Sequence, residues 1–191
     1  MSLPVIPSLW KYEKLVDVID QFIDYRGKTP TKTESGVPLI TAKNVKGGKL
    51  SPEPREYIAE AAYIDWMSRG YPQTGDVLFT TEAPLGEVAQ VSDPNIALAQ
   101  RLLTLRGKKS ILDNDYLKWV FFSPAVKFQI GQRSTGSTVR GIRQKELRQV
   151  KIPLPPLEEQ RRIAAVLEKA DHLRSLRRQA LARLDDLVQS V

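Results

Sequence analysis

The chain has 191 residues, of which 41% are hydrophobic and 27% charged, and a formal net charge of +7. That composition supports a packed core, excludes a disordered chain, and fits one globular domain with an appendage. The absence of cysteine excludes disulfides and thiolate metal sites, and agrees with a reducing, cytoplasmic setting.

In chain order, Met1-Ser2-Leu3-Pro4 carries no basic segment followed by an apolar run, so no secretory signal is expected. No later stretch reaches the ~20 apolar residues of a membrane span. Residues 26–49 concentrate six basic groups (Arg26, Lys28, Lys32, Lys43, Lys46, Lys49) against one acid, Glu34. Val37–Thr41, Asp76–Thr80 and Leu102–Leu105 are short apolar runs bounded by Gly, Pro or Asp, the pattern of strands. Residues 57–69 predict a helix, with Ile58, Ala62, Trp66 and Met67 near helical spacing. A second helix is predicted over 113–130, capped by Asp113 or Asn114 and kinked or split at Pro124. Residues 127–151 form the second basic segment, with seven basic groups against Glu146, while the rest of 1–157 is net acidic. Two cationic segments on an acidic domain suggest a polyanion surface, because clustered cations displace the most counterions from phosphates.

Residues 158–191 differ in texture: 34 residues without Gly or Pro. Ile163, Val166, Ala170, Leu173, Ala180, Leu184, Leu187 and Val191 form a heptad seam, interrupted where Arg177 takes an apolar position and widened by Leu167, Leu176 and Leu181. Glu158 and Glu159 favour the dipole of the first turn. Pro153, Pro155 and Pro156 predict a stiff hinge upstream, so the helix is expected to project rather than fold back. The domain plan is therefore 1–152, a hinge at 153–157, and a helix over 158–191. At 1.5 Å per residue that helix is about 50 Å long, and its seam needs a partner.

The chemistry of common active sites is missing. Gly131–Thr138 approaches a phosphate-binding P-loop but has Ser137 where lysine is required, so it is expected to be a flexible loop. His172 is the only histidine, which makes a metal site improbable. No Asp-x-Lys or Glu-x-Lys triplet of a nuclease metal site occurs, and Asp93-Pro94-Asn95 lacks the flanking residues of a methyltransferase motif. Neither cofactor nor metal nor catalytic residue is expected.

Several segments together resemble the specificity subunits of type I restriction–modification systems. The strongest is Ile152-Pro153-Leu154-Pro155-Pro156-Leu157-Glu158-Glu159-Gln160 followed by the heptad helix. Arg26–Pro30, Ile40–Val45, Gly75–Leu78, Ala83–Glu87, and Gly136-Ser137-Thr138 leading to Lys145-Glu146-Leu147 occur in the same order. The resemblance covers nearly the whole chain. It implies a mixed α/β (α+β) target-recognition domain followed by a long spacer helix that pairs in an antiparallel coiled coil. It also implies a non-catalytic chain that binds one half of a split double-stranded DNA target, while methyltransferase (modification) subunits and a restriction subunit supply the chemistry. Members of that family typically carry two recognition domains and two spacer helices, whereas one of each is present here, as in a natural half-subunit or a fragment of a longer chain; self-association through the helix, as a homodimer, is expected.

DNA contact is expected from Arg26, Lys28, Thr29, Thr31, Lys32, Lys43, Asn44, Lys46 and Lys49, and from Gln132, Arg133, Ser134, Thr135, Ser137, Arg140 and Arg143. The lysines would hold phosphates, while Asn44, Gln132, Arg133 and Arg140 have the paired hydrogen-bonding groups that read base edges. The competing readings are a stand-alone DNA-modifying or cleaving enzyme, and a coiled-coil adaptor whose basic segments are incidental.

Overall fold

The computed structural model describes residues 3–25 and 29–189, the last three by backbone alone. Arg26, Lys28, Val191 and the side chain of Leu187 lie outside the described residues. The chain opens with β1 (Lys11–Lys14), a helical turn α1 (Leu15–Val18) and β2 (Ile19–Asp24). Short strands follow: β3 (Lys32–Thr33), β4 (Val37–Ile40), a 3-10 turn at Ala42–Asn44, and the hairpin β5 (Val45–Lys46) with β6 (Lys49–Leu50). Then come β7 (Tyr57–Ile58), α2 (Glu60–Trp66), β8 (Val77–Thr80), β9 (Val88–Gln90), β10 (Ala97–Leu98) and β11 (Leu102–Gly107). The last third holds α3 (Asn114–Val120), α4 (Pro124–Arg133), α5 (Gln144–Leu147), β12 (Lys151–Leu154) and α6 (Leu157–Gln189). This is the mixed α/β domain with a long C-terminal helix that the sequence predicts.

The centre is the antiparallel sheet β2-β11-β8-β9. Side chains alternate between its faces. Val77, Phe79, Val88, Leu103 and Leu105 enter a core with α3 and α4; Leu78, Ala89, Leu102 and Ile23 enter a second core with Leu39, Ile58 and Met67. Burial on both faces is why β11 reads as an unbroken apolar run. The second core is closed by the sheet β10-β4-β7-β3 and by α2.

Two boundaries differ from the sequence expectation, and of the two outcomes expected at Pro124 the structure shows the split. Tyr57 and Ile58 are not the start of a helix: they pair with β3 and β4, and the helix begins only at Glu60. Pro124 splits rather than kinks its helix, standing at the first position of α4 with the Ser123 hydroxyl capping the Val126 N–H. Asp76 precedes its strand and is buried, with both carboxylate oxygens on the Arg106 guanidinium at 2.8 and 2.7 Å. That bidentate pair explains the Gly75–Leu78 segment, where a buried carboxylate needs such a partner.

The segment 153–157 is also more than a hinge. Pro153 and Leu154 belong to β12, which pairs with β1 in the register Lys11↔Leu154 to Lys14↔Lys151. Gln160 is fully buried on the first turn of α6. Its amide donates to the Ile111 and Pro155 carbonyls at 2.9 and 2.8 Å, and its oxygen accepts the Asp113 N–H at 2.9 Å. Glu159 accepts from the Trp10 indole at 3.0 Å, and Tyr116, whose phenol is pushed up in pKa by burial, donates to the Pro153 carbonyl. The proline-rich junction therefore fixes the direction of α6.

Candidate nucleic-acid interface and spacer helix

Strand register places the loops. Asp24 at the end of β2, Thr80 at the end of β8, Val88 at the start of β9 and Leu102 at the start of β11 share one end of the central sheet. The opposite end carries Gly107, Gln90 and Val77, next to the Ile111–Asp113 turn that pins α6. The loops and the helix junction thus occupy opposite ends.

Both basic segments meet at the loop end, on either side of the β8–β9 turn. On one side the Gly47 N–H at the tip of the β5–β6 hairpin donates to Glu87 Oε2 at 3.0 Å, and the Gly48 N–H to the Val88 carbonyl at 2.9 Å. On the other side Ile142 N–H donates to the Thr81 carbonyl at 2.9 Å, and Glu82 bridges to Gly141. Gly131, Gln132 and Arg133 of the expected flexible loop are instead the last turn of α4, and the 134–141 loop that follows is closed: Thr135 and Gly141 exchange both backbone hydrogen bonds at 2.9 Å. Gly136 has φ +105°, and a β-carbon there would lie 2.1 Å from the Val139 carbonyl, so the turn requires glycine. This gives Gly136-Ser137-Thr138 a folding role that leaves its neighbours exposed.

The individual residues divide. Lys43, Lys46, Gln132, Ser137 and Arg143 are exposed, and Lys43 and Lys46 have no acidic partner among the described residues. Thr29 and Thr31 are exposed and line a cleft with Trp66 and Arg69. Lys32 is paired with Glu56 at 2.9 Å and Lys49 with Asp171 of α6 at 3.2 Å, so each already has a counter-charge. Arg133 and Arg140 fold back on the C-terminal carbonyls of α4, donating to Gln129 and Gly131, a position favoured by the helix dipole. Ser134 also donates to the Gly131 carbonyl, and Thr135 sits at the loop closure.

Asn44 is the clear correction. It is 2% exposed, and its oxygen accepts from the Thr41 N–H and hydroxyl while its amide donates to the Ser51 and Pro54 carbonyls. With its capacity used inside the fold, it braces the turn that carries Lys43 and cannot reach a base. Sequence reasoning missed the opposite case: Gln100 and Arg101, in the turn before β11, line a cleft of about 450 Å³ with Glu82, Thr135, Val139 and Arg143. Lone polar residues in a turn give no signal of such convergence.

α6 divides along its length. Gln160 and Ala164 are buried against the domain, Glu168 reaches the buried Lys118 ammonium, and Asp171 reaches Lys49. The expected full projection is thus limited to the second half, where every described residue from Leu176 to Asp186 is exposed. Of the expected seam, Ile163 packs against the first core instead. Val166, Ala170, Leu173, Ala180 and Leu184 are exposed, as are Leu167, Leu176 and Leu181. At 100° per residue, Val166, Leu173, Ala180 and Leu184 lie roughly opposite the 160-164-168-171 row that meets the domain, while Ala170 lies on its flank.

These elements match a known family. The model of the type I restriction modification DNA specificity domain matches residues 7–185, and the chain belongs to that family. The chain is 28% identical over 191 residues to the type I restriction enzyme MjaVIII specificity subunit of Methanocaldococcus jannaschii, covering 94% of this chain and 44% of that protein. To the EcoKI specificity subunit of Escherichia coli it is 24% identical, covering 96% and 42%. In structure it resembles the HsdS subunit from Thermoanaerobacter tengcongensis with a TM-score of 0.62 and 27% identity, over 89% of this chain and 39% of that one. A chain from work on complex assembly and conformational transition of the type I R-M system gives 0.68 and 27%, over 94% and 43%. The chain thus spans about two-fifths of the length of these relatives. Among the described residues no helix is long and apolar enough to cross a membrane.

Proposed function

We propose that this chain is the non-catalytic recognition component of a type I restriction–modification complex. Its domain (residues 1–152) binds one half of a split double-stranded DNA target, and α6 sets the distance to a second half-site. The carrying observation is the convergence of two basic segments, far apart in sequence, on the two flanks of one β8–β9 turn. Lys43 and Lys46 hold phosphates there, and Gln132, Ser137 and Arg143 face the duplex from the other flank. The residues near the junction at 153–157 orient the helix. Modification subunits dock in the cytoplasm on the resulting assembly and methylate the target; a restriction subunit joins them.

The exposed seam of α6 supports pairing with the helix of a second copy, antiparallel as the family resemblance implies. Apart from Ile163, which packs on the core, the described seam residues Val166, Ala170, Leu173, Ala180 and Leu184 are exposed. A stand-alone enzyme and an adaptor without DNA affinity remain the outcomes that refute this reading. Binding of duplex DNA should weaken for all sequences when Lys43 and Lys46 are both replaced by alanine, and the slope of log affinity against log salt should fall by about two. Affinity and slope unchanged from the parent would place the DNA elsewhere.

A further inference from the structure

We propose that Arg101, held by Glu82, reads a guanine edge in the half-site; this rests on the DNA-binding reading above. Arg101 Nε lies 3.0 Å from Glu82 Oε1, and both side chains are about half exposed, at 49% and 44%. An ion pair this open adds little to stability, because water screens it and both side chains lose rotamer freedom. What it does is orient. The carboxylate engages the Nε side of the guanidinium, and among the described residues nothing engages the two Nη groups, whose fork matches the O6 and N7 acceptors of guanine in the major groove.

The surroundings position this pair. Arg101 is backed by the Thr81 N–H, which donates to its carbonyl at 2.9 Å, and by the Thr81 hydroxyl at 3.2 Å. Glu82 bridges to Gly141, where a β-carbon would crowd the Glu82 carboxylate and the Thr81 carbonyl at 3.3 Å. Glycine at 141 therefore lets the closed 135–141 loop approach the pair. The opposite wall of the cleft is formed by Thr135, Val139 and Arg143, and Val139 is 55% exposed at the loop tip. A polar slot with one apolar tip fits a base edge better than a phosphate. A phosphate would need neither the carboxylate, which repels it, nor a fixed guanidinium plane.

The test is site selection from randomised duplex DNA, with the chain and its modification subunits, for the parent, Arg101→Ala and Arg101→Lys. Thermal melting confirms folding of each. Arg101→Ala should lose preference for guanine at one position of the half-site by roughly tenfold to a hundredfold, and Arg101→Lys, which can still donate to O6 and N7 without the planar fork, should lose part of it. Arg101→Lys, which keeps the charge without the fork, should retain the parent's salt slope on non-specific DNA. Preference unchanged in both variants overturns the proposal. So does a uniform loss of affinity in Arg101→Ala that Arg101→Lys restores, which would make Arg101 a phosphate contact while leaving the DNA-binding reading intact. A parent that selects no sequence overturns both.

Discussion

The two halves of α6 have similar composition but opposite surroundings. From Leu157 to Asp171 the helix is held along a row of polar and small residues: Gln160, Ala164, Glu168 and Asp171. In that stretch Val166 points away, at 63% exposed, while Leu167 lies at the margin of the row, at 38%. From Leu176 to Asp186 no domain residue shields it. A helix usually meets its own domain through its apolar stripe. Here hydrogen bonds and ion pairs join Ile163 and Ala164 in anchoring it, and the rest of the described apolar stripe is exposed. The contrast teaches that the same element is a fixed arm on one face and leaves an exposed apolar surface on the other.

The largest effect expected from breaking this division is at Gln160. Replacing it with alanine removes the partner of the Asp113 N–H and of the Ile111 and Pro155 carbonyls, the last of them in a fully buried bond, at a cost of about 3 kcal/mol. For a domain of this size that corresponds to a fall in melting temperature on the order of 10 °C, measurable by calorimetry. A change below roughly 2 °C would mean that the junction does not depend on this residue.

Next comes the free face. Leu173→Glu with Leu184→Glu should turn dimers into monomers, raising the dissociation constant more than about a hundredfold, since each buried leucine contributes roughly 1.5–3 kcal/mol. Sedimentation equilibrium reads the change, and the melting temperature of the monomeric domain should stay put, because both side chains are 56% exposed on it. An unchanged dimer would move the interface off the seam.

The smallest effects lie in the ion pairs of the anchored face. Glu168→Ala strips the counter-charge from Lys118, whose side chain is 7% exposed, and should cost about 1 kcal/mol after allowance for the half-exposed carboxylate. Lys49→Ala removes a more open pair with Asp171 and should cost less than about 0.5 kcal/mol. Urea unfolding of the two variants ranks them, and a larger loss at Lys49 would reverse the order of burial on which the anchoring depends.

Much of the fold is legible in the sequence where burial leaves a strong pattern. β11 is buried on both faces and reads as Leu-Leu-Thr-Leu; α6 lacks Gly and Pro and carries a heptad seam. Tyr57-Ile58 is misread because two residues of strand show no period, and the helical spacing of the adjoining α2 absorbs them. Asn44 is misread because a capping asparagine in a basic segment has the same letters as an exposed one; only its four hydrogen bonds distinguish them. The cleft of Glu82, Arg101 and Arg143 is illegible for another reason: its members are far apart in the chain and meet only through the register of β8 with β11 and the docking of the 135–141 loop. Charge clustering points to the two flanks of the proposed interface, but not to the slot that the strand register assembles.

The central claim is that two copies, joined through the seam, present identical recognition domains to DNA. A two-fold protein imposes a two-fold site. The most direct measurement is the target selected from randomised DNA by the chain with its modification subunits, read as methylated sequences. The expected target is an interrupted palindrome with half-site centres about 34 Å, one helical turn, apart. A strongly selected target without two-fold symmetry would contradict it.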